Sequence, residues 1–381
     1  MTEKIKTKGR TTSPFRYDIV GSYLRPKTLK EARAAFQNNQ ITAEELKAVE
    51  DREIIDLIKK QEAAGLKAVT DGEFRRSWWH LDFFWGFNGI SKFEEGGYQF
   101  ADEHTRAETA KVTGLISGEK HPFVEDFKFT REHTSENIEV KQTIPAPAQC
   151  IKELLSPGNV EATRQFYPTD KQLVEAVANA YQQVIHDLYK AGARTIQLDD
   201  CTWGMLVASE LPGTDATNSD EVRETLKALY LEVNNAAIAG FPDDLTVNTH
   251  VCRGNFHSTW VATGAYDTVA TPLFDQENVQ AYYLEYDTDR SGGFEPLAKV
   301  SDNKLVVLGL VTSKSGELED RQAAIARVKE AAKYVPLDRL CLSTQCGFAS
   351  TEEGNILTEE QQWKKVEFVK SVAEEIWGEE A

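Results

Sequence analysis

Only five cysteines occur in 381 residues, an odd number scattered without framework spacing. That excludes a disulfide scaffold and fits a reducing cytoplasm, the expected location. Positive charge is scarce as well: 43 Lys and Arg stand against 61 Asp and Glu, a net charge of -18. Such a surface repels phosphate backbones and anionic lipids, so neither nucleic acid nor a membrane surface is an expected partner. Long apolar runs are missing too. No stretch approaches the ~18 residues of a membrane span, and the polar Met1–Arg10 has no apolar signal core. Finally, no glycine-rich phosphate loop follows any predicted strand, which argues against a doubly wound sheet that binds nucleotides.

What is present is a repeating alternation of short β-branched runs and amphipathic segments. Residues 1–14 are polar and read as a loose arm. Strands are predicted at Tyr17–Ser22, Leu66–Thr70, Lys141–Ile144, Arg194–Leu198, around His250, and at Ala281–Leu284, Lys304–Leu310 and Leu340–Thr344. Helices fall between most of them. Three open on capping boxes, Thr42–Glu45, Thr169–Gln172 and Thr358–Gln361, where a threonine precedes Glu or Gln by three residues. With 41% hydrophobic residues the chain can bury a large core. Eight strands with mostly helical connections predict an α/β fold, a single (β/α)8 TIM barrel forming one domain over residues 1–381. Residues 75–140 break the rhythm as a long insertion after the second strand. They carry a dense aromatic cluster, Trp78, Trp79, His80, Phe83, Phe84, Trp85 and Phe87. It serves either as a substrate wall or as the insertion's own small core.

The chemistry concentrates at strand tips. In Val247-Asn248-Thr249-His250-Val251-Cys252, side chains alternate, so His250 and Cys252 point to one side at the end of a buried strand. An imidazole and a thiolate held there make half of a tetrahedral zinc site; two residues merely buried near each other are the plain alternative. Glu285 and Cys346 lie at the predicted ends of the sixth and eighth strands, on the same barrel face. Together the four offer nitrogen, sulfur and oxygen donors that Zn2+ accepts, and two thiolates argue against magnesium or calcium. Cys150, Cys201 and Cys341 read as ordinary buried thiols.

Six segments occur in an order that resembles the cobalamin-independent methionine synthase family: Ile19-Val20-Gly21-Ser22, Asp71-Gly72-Glu73-Phe74, Ile196-Gln197-Leu198-Asp199-Asp200, His250-Val251-Cys252, Leu284-Glu285 and Gln345-Cys346-Gly347. The resemblance is to the catalytic, C-terminal barrel and spans nearly the whole chain. It implies a zinc-dependent methyltransferase that makes methionine from homocysteine, with His250, Cys252, Glu285 and Cys346 as metal ligands. It likewise implies Glu73 and Asp199 as anchors for the substrate ammonium and Ser22 near its carboxylate; for Glu73 and Asp199 the plain alternative is a structural salt bridge. A zinc alkyltransferase for another small thiol, a metal-dependent TIM-barrel hydrolase and a non-catalytic zinc protein are the competing readings.

Two departures bear on the methyl donor. The family's full-length enzymes carry an additional N-terminal barrel that helps to hold a polyglutamylated folate, and 381 residues leave no room for it. In the loop after the seventh strand, the family's Asp and His correspond to Thr312 and Lys314. That histidine protonates the departing folate nitrogen, whereas lysine, near pKa ~10.4, is a poor acid at neutral pH. Lys314, the candidate catalytic residue of this loop, is read as a fixed positive charge facing a donor or substrate anion, with a solvated lysine as the plain alternative. A sulfonium or methylcorrinoid donor, whose leaving group needs no proton, is expected to serve better than methyltetrahydrofolate.

Overall fold

The segment Leu305–Val311 reads Leu-Val-Val-Leu-Gly-Leu-Val, apolar at almost every position. A strand is apolar on both faces only when both are covered, as in a parallel sheet wrapped by helices. A computed structural model of the protein describes residues 10–98, 105–208 and 219–378. Its strands are β1 (Tyr17–Asp18), β2 (Ala68–Val69), β3 (Asn88–Phe93), β4 (Thr109–Ser117), β5 (Glu139–Pro145), β6 (Thr195–Asp200), β7 (Thr246–Val251), β8 (Ala281–Glu285), β9 (Leu305–Val311) and β10 (Leu340–Thr344).

Eight of these form one parallel sheet in the order β1-β10-β9-β8-β7-β6-β5-β2. Its edge strands are drawn together where Thr70 Oγ1 donates to the Gly21 carbonyl at 2.6 Å and the Tyr23 N–H to the Gly72 carbonyl at 3.2 Å. The result is the expected TIM barrel, nearly closed. The interior holds an ion pair of Lys141 and Asp18 at 3.0 Å, and Tyr283 donates to the same carboxylate at 2.6 Å. Such a buried pair persists because every charge has a partner.

All three capping boxes form, on the helices Ala43–Ala63, Asp170–Lys190 and Glu359–Trp377. Not every connection is a long helix: between β7 and β8, and between β8 and β9, the chain uses only short 3-10 and π turns. Within the insertion, β3 and β4 pair antiparallel as a separate hairpin. Of the expected loose arm, Met1–Gly9 lie outside the described residues, and Ser13 and Pro14 are buried, so the arm reading is corrected there. Ser13 is packed against Asn248, whose amide lies 3.4 Å from its hydroxyl.

Parallel register sets the site. Asp199 pairs with His250 across β6 and β7, and Glu285 pairs with Gly309 across β8 and β9. Residues far apart in sequence therefore end in one layer at the C-terminal rim, where barrel sites are built.

Candidate metal centre

His250 enters the rim from the end of β7, and its Nδ1 lies 3.3 Å from the Tyr283 carbonyl. A carbonyl only accepts, so Nδ1 carries the proton and Nε2 keeps a lone pair. That Nε2 is buried and has no partner among the described residues. Cys252 and Cys346 bring their sulfurs to 3.8 Å of each other. One donor atom each from His250, Cys252, Glu285 and Cys346 lies within 4.8 Å of the other three, and all four residues are buried. Zinc–sulfur bonds of ~2.3 Å in a tetrahedron separate two sulfurs by roughly 3.8 Å. The orphaned nitrogen and the sulfur spacing both fit a tetrahedral metal ion.

The electrostatics agree. The Cys252 thiol is pushed well above its ordinary range, first by its hydrogen bond with Cys201 and further by burial. Cys346 is pushed up by its hydrogen bond with Cys252 and by burial. Two neighbouring thiols cannot both ionise in a dry site unless a cation joins them. Glu285 behaves oppositely: burial alone would raise its carboxyl, yet Lys314 and Arg290 hold it below the usual range. Its Oε1 accepts the Arg253 N–H at 2.8 Å, and its Oε2 accepts from Arg290 at 2.6 Å. Lys314 Nζ stands 4.0 Å from the same oxygen, with its side chain only 7% exposed. Lys314 therefore faces a candidate ligand and is not a solvated loop residue.

His250, Cys252 and Cys346 of the cluster border a cavity of about 210 Å3 whose wall also includes Ser22, Glu73 and Asp199. Glu73 sits in the left-handed region at φ 60°, after Gly72 at φ 67°. An Asx turn stabilises this bend, with Asp71 Oδ1 accepting the Glu73 N–H at 2.7 Å. Non-glycine residues rarely adopt such a conformation, and it aims this carboxylate into the rim. Glu73 pairs with Arg76 and accepts from Thr143 at 2.9 Å. Among the described residues, the side chain of Asp199 accepts only from the Gln197 amide, at 2.8 Å. Burial and the nearby Glu73 push the Asp199 carboxyl well above the usual range. Among the described residues no cation pairs with Asp199, so the plain salt-bridge alternative holds for Glu73 alone. Ser22 Oγ accepts the Ala349 N–H at 3.3 Å. A Cβ on Gly347 would fall 2.0 Å from that hydroxyl, so only glycine lets the Cys346 turn close on Ser22.

A family model described as cobalamin-independent synthase, catalytic domain, matches residues 16–366. The chain belongs to this family. Among relatives, YxjH of Bacillus subtilis is 45% identical over 98% of this chain and 97% of its own length. A solved structure from Listeria monocytogenes is 37% identical and superposes with a TM-score of 0.74, covering 97% of this chain and 99% of that one. A B12-independent methionine synthase from Shewanella sp. W3-18-1, solved with selenomethionine, has a TM-score of 0.70. It covers 95% of this chain and 97% of that one, and at 20% identity it bears on the fold alone.

The cobalamin-independent synthase fold places some groups where sequence reasoning missed them. Cys201, expected to be an ordinary buried thiol, is half-buried and lines the cavity beside Cys252. It stands one residue past the tip of β6, capping the short helix Thr202–Leu206, so its position follows from the strand end. The aromatic insertion is divided between a cavity wall and its own small core. Trp78, Trp79 and His80 line the cavity, while Phe83 and Phe87 pack with His121 and Tyr181. Gln149 and Lys152 of the helix Pro147–Leu154 also face the cavity, and nothing in their sequence context marked them. No helix among the described residues is long and apolar enough to cross a membrane.

Proposed function

We propose that the protein is a zinc-dependent methyltransferase that moves a methyl group onto the thiol of homocysteine to give methionine. One observation carries the reading: two sulfurs and an imidazole nitrogen of a four-residue donor set, completed by the buried Glu285, open on the same cavity as a carboxylate pair suited to an ammonium group.

His250, Cys252, Glu285 and Cys346 would hold the ion. A zinc ion held there would supply the charge that deprotonates the incoming thiol, which at a free pKa of ~8.5 is only a few per cent ionised at neutral pH. Asp199 and Glu73 bind the ammonium, and Ser22 stands near the carboxylate. Anchoring the amino-acid end fixes the thiolate for in-line attack on the methyl carbon, which lowers the entropic part of the barrier. Lys314 and Arg290 act as fixed positive charges on Glu285, and Lys314 is not needed as an acid. A hydrolase reading fits less well, because two thiolates and a buried carboxylate leave no histidine–carboxylate centre with an open water position.

Calorimetric titration of homocysteine, with and without zinc, tests the reading. Binding that requires the metal is expected. Metal-independent binding, or none with zinc present, would overturn it.

A further inference from the structure

One buried cation belongs neither to the metal cluster nor to the cavity wall. Arg25 lies three residues past Ser22 and directly before Pro26, which stands at the N-terminus of the helix Lys27–Gln37. A residue before proline is confined to extended backbone, so this side chain leaves from a stiff stem. Arg25 is buried, and among the described residues it forms no ion pair with a carboxylate. Burial, together with Arg76 and Arg33, pushes its guanidinium down to about 9, which leaves it charged at neutral pH. A charge taken out of water without an ionised partner is costly unless hydrogen bonds compensate it.

Four backbone carbonyls take the place of that partner. Nη1 donates to Tyr23 at 3.1 Å and to Ala349 at 3.2 Å; Nη2 donates to Glu73 and to Arg76, the latter at 3.2 Å. These carbonyls lie on the loops after β1, β2 and β10, which also carry Ser22, Glu73 and Cys346. Nη2 therefore ties together both ends of the turn from Glu73 to Arg76, whose first residue stands at φ 60°. Arg76 completes the clamp: it pairs with the Glu73 carboxylate and donates to the Ala349 carbonyl at 3.0 Å. Only a planar guanidinium presents enough donors in a fixed fork to hold carbonyls from three loops at once.

We propose that Arg25 is a positioning residue: by tying the Glu73–Arg76 turn it keeps the Glu73 carboxylate facing the cavity, and it thereby sets the preference of the site for thiols that carry an ammonium group. A non-glycine residue in the left-handed region stays there only while its surroundings hold it. Freed of the Arg25 clamp, Glu73 relaxes toward ordinary backbone and takes its carboxylate out of the cavity. Asp199 is then the lone anchor for an ammonium. The thiol end of the acceptor loses nothing, because Arg25 touches none of His250, Cys252, Glu285 and Cys346. The inference rests on the methyl-transfer reading above.

The test compares zinc-loaded wild type, Arg25→Met and Arg25→Lys in calorimetric binding of homocysteine and of 4-mercaptobutanoate, the same thiol without its amino group. Arg25→Met should bind homocysteine about tenfold or more weakly and 4-mercaptobutanoate within about twofold of wild type, with zinc content unchanged. Arg25→Lys keeps the charge but not the fork, and should lose less. In a Glu73→Gln background Arg25→Met should add no further loss. A crystal structure of Arg25→Met should show Glu73 out of the left-handed region. An equal loss for both thiols, as a merely structural role gives, unchanged homocysteine affinity, a fully additive loss with Glu73→Gln, or an unmoved Glu73 would overturn the proposal. Should Arg25→Met not fold, Arg25→Lys decides by the same ratio of the two affinities. Wild type that binds no homocysteine would refute the methyl-transfer reading instead, and the variant's crystal structure would still decide what holds Glu73.

Discussion

Asp199→Asn is the cleanest probe of the acceptor site. Removing Glu73 would also strand the Arg76 cation near the ammonium, whereas Asp199 has no cationic partner among the described residues to release. The substitution keeps the shape and the hydrogen bond from Gln197 but deletes the charge. A hydrogen bond to a charged group contributes ~1.5–3 kcal/mol, roughly 10- to 150-fold in Kd. The lower part of that range applies, for two reasons. Asp199 is partly open to the cavity, and its raised pKa means that the incoming ammonium must first displace a proton. We expect homocysteine to bind about 10- to 30-fold more weakly, with zinc content unchanged. A matching thiol that lacks the amino group should bind wild type and variant alike, which isolates the ammonium contribution as in a double-mutant cycle. Acidification should weaken homocysteine binding to wild type as Asp199 takes up a proton, at a pH above the ordinary ~3.9, and the variant should lose that dependence. Equal homocysteine affinity in the two proteins, or an equal loss for the thiol without an amino group, would refute the assignment.

Three further outcomes are expected. Purified protein should carry close to one zinc ion per chain, and Cys252→Ala and Cys346→Ala should each lose most of it by elemental analysis; full retention in both contradicts the cluster. Side-by-side assays with homocysteine should show weak turnover on methyltetrahydrofolate polyglutamate and faster turnover on a sulfonium or methylcobalamin; efficient folate turnover would mean that another group serves as the acid. Glu277 is fully buried and pushed up to about 8, chiefly by burial. The folded state therefore keeps a proton that the unfolded chain loses near ~4.3, and this contribution to stability is lost as pH rises through about 8. In Glu277→Gln, the fall in Tm between mildly acidic and alkaline pH should shrink, and an unchanged slope would show that Glu277 is not its source.

The one-dimensional pattern was enough for the barrel because its signals are local. Capping boxes at Thr42, Thr169 and Thr358 need only three residues to form, and each was realised. Strands buried on both faces announce themselves by composition, and β10 has the bounds that its sequence predicts, Leu340–Thr344. Because every parallel strand of a barrel ends on one rim, placing His250, Cys252, Glu285 and Cys346 at strand ends already placed them together. Edge strands were less legible: β1 and β2 keep only two residues each of the longer runs that their sequences suggest. Their chains leave the ladder early to bend Ser22 and Glu73 into the cavity.

Tertiary structure alone decided what depends on distance and direction. That Lys314 and Arg290 both meet Glu285, that Cys201 joins the thiols, and that no cation among the described residues pairs with Asp199 are facts of packing between loops of different strands. The carbonyls that Arg25 gathers come from the loops after three strands, and only the assembled barrel brings them to one side chain. Residue type and period determine which side chains reach the rim. Hydrogen-bond direction and charge depend on neighbours that sequence spacing cannot supply.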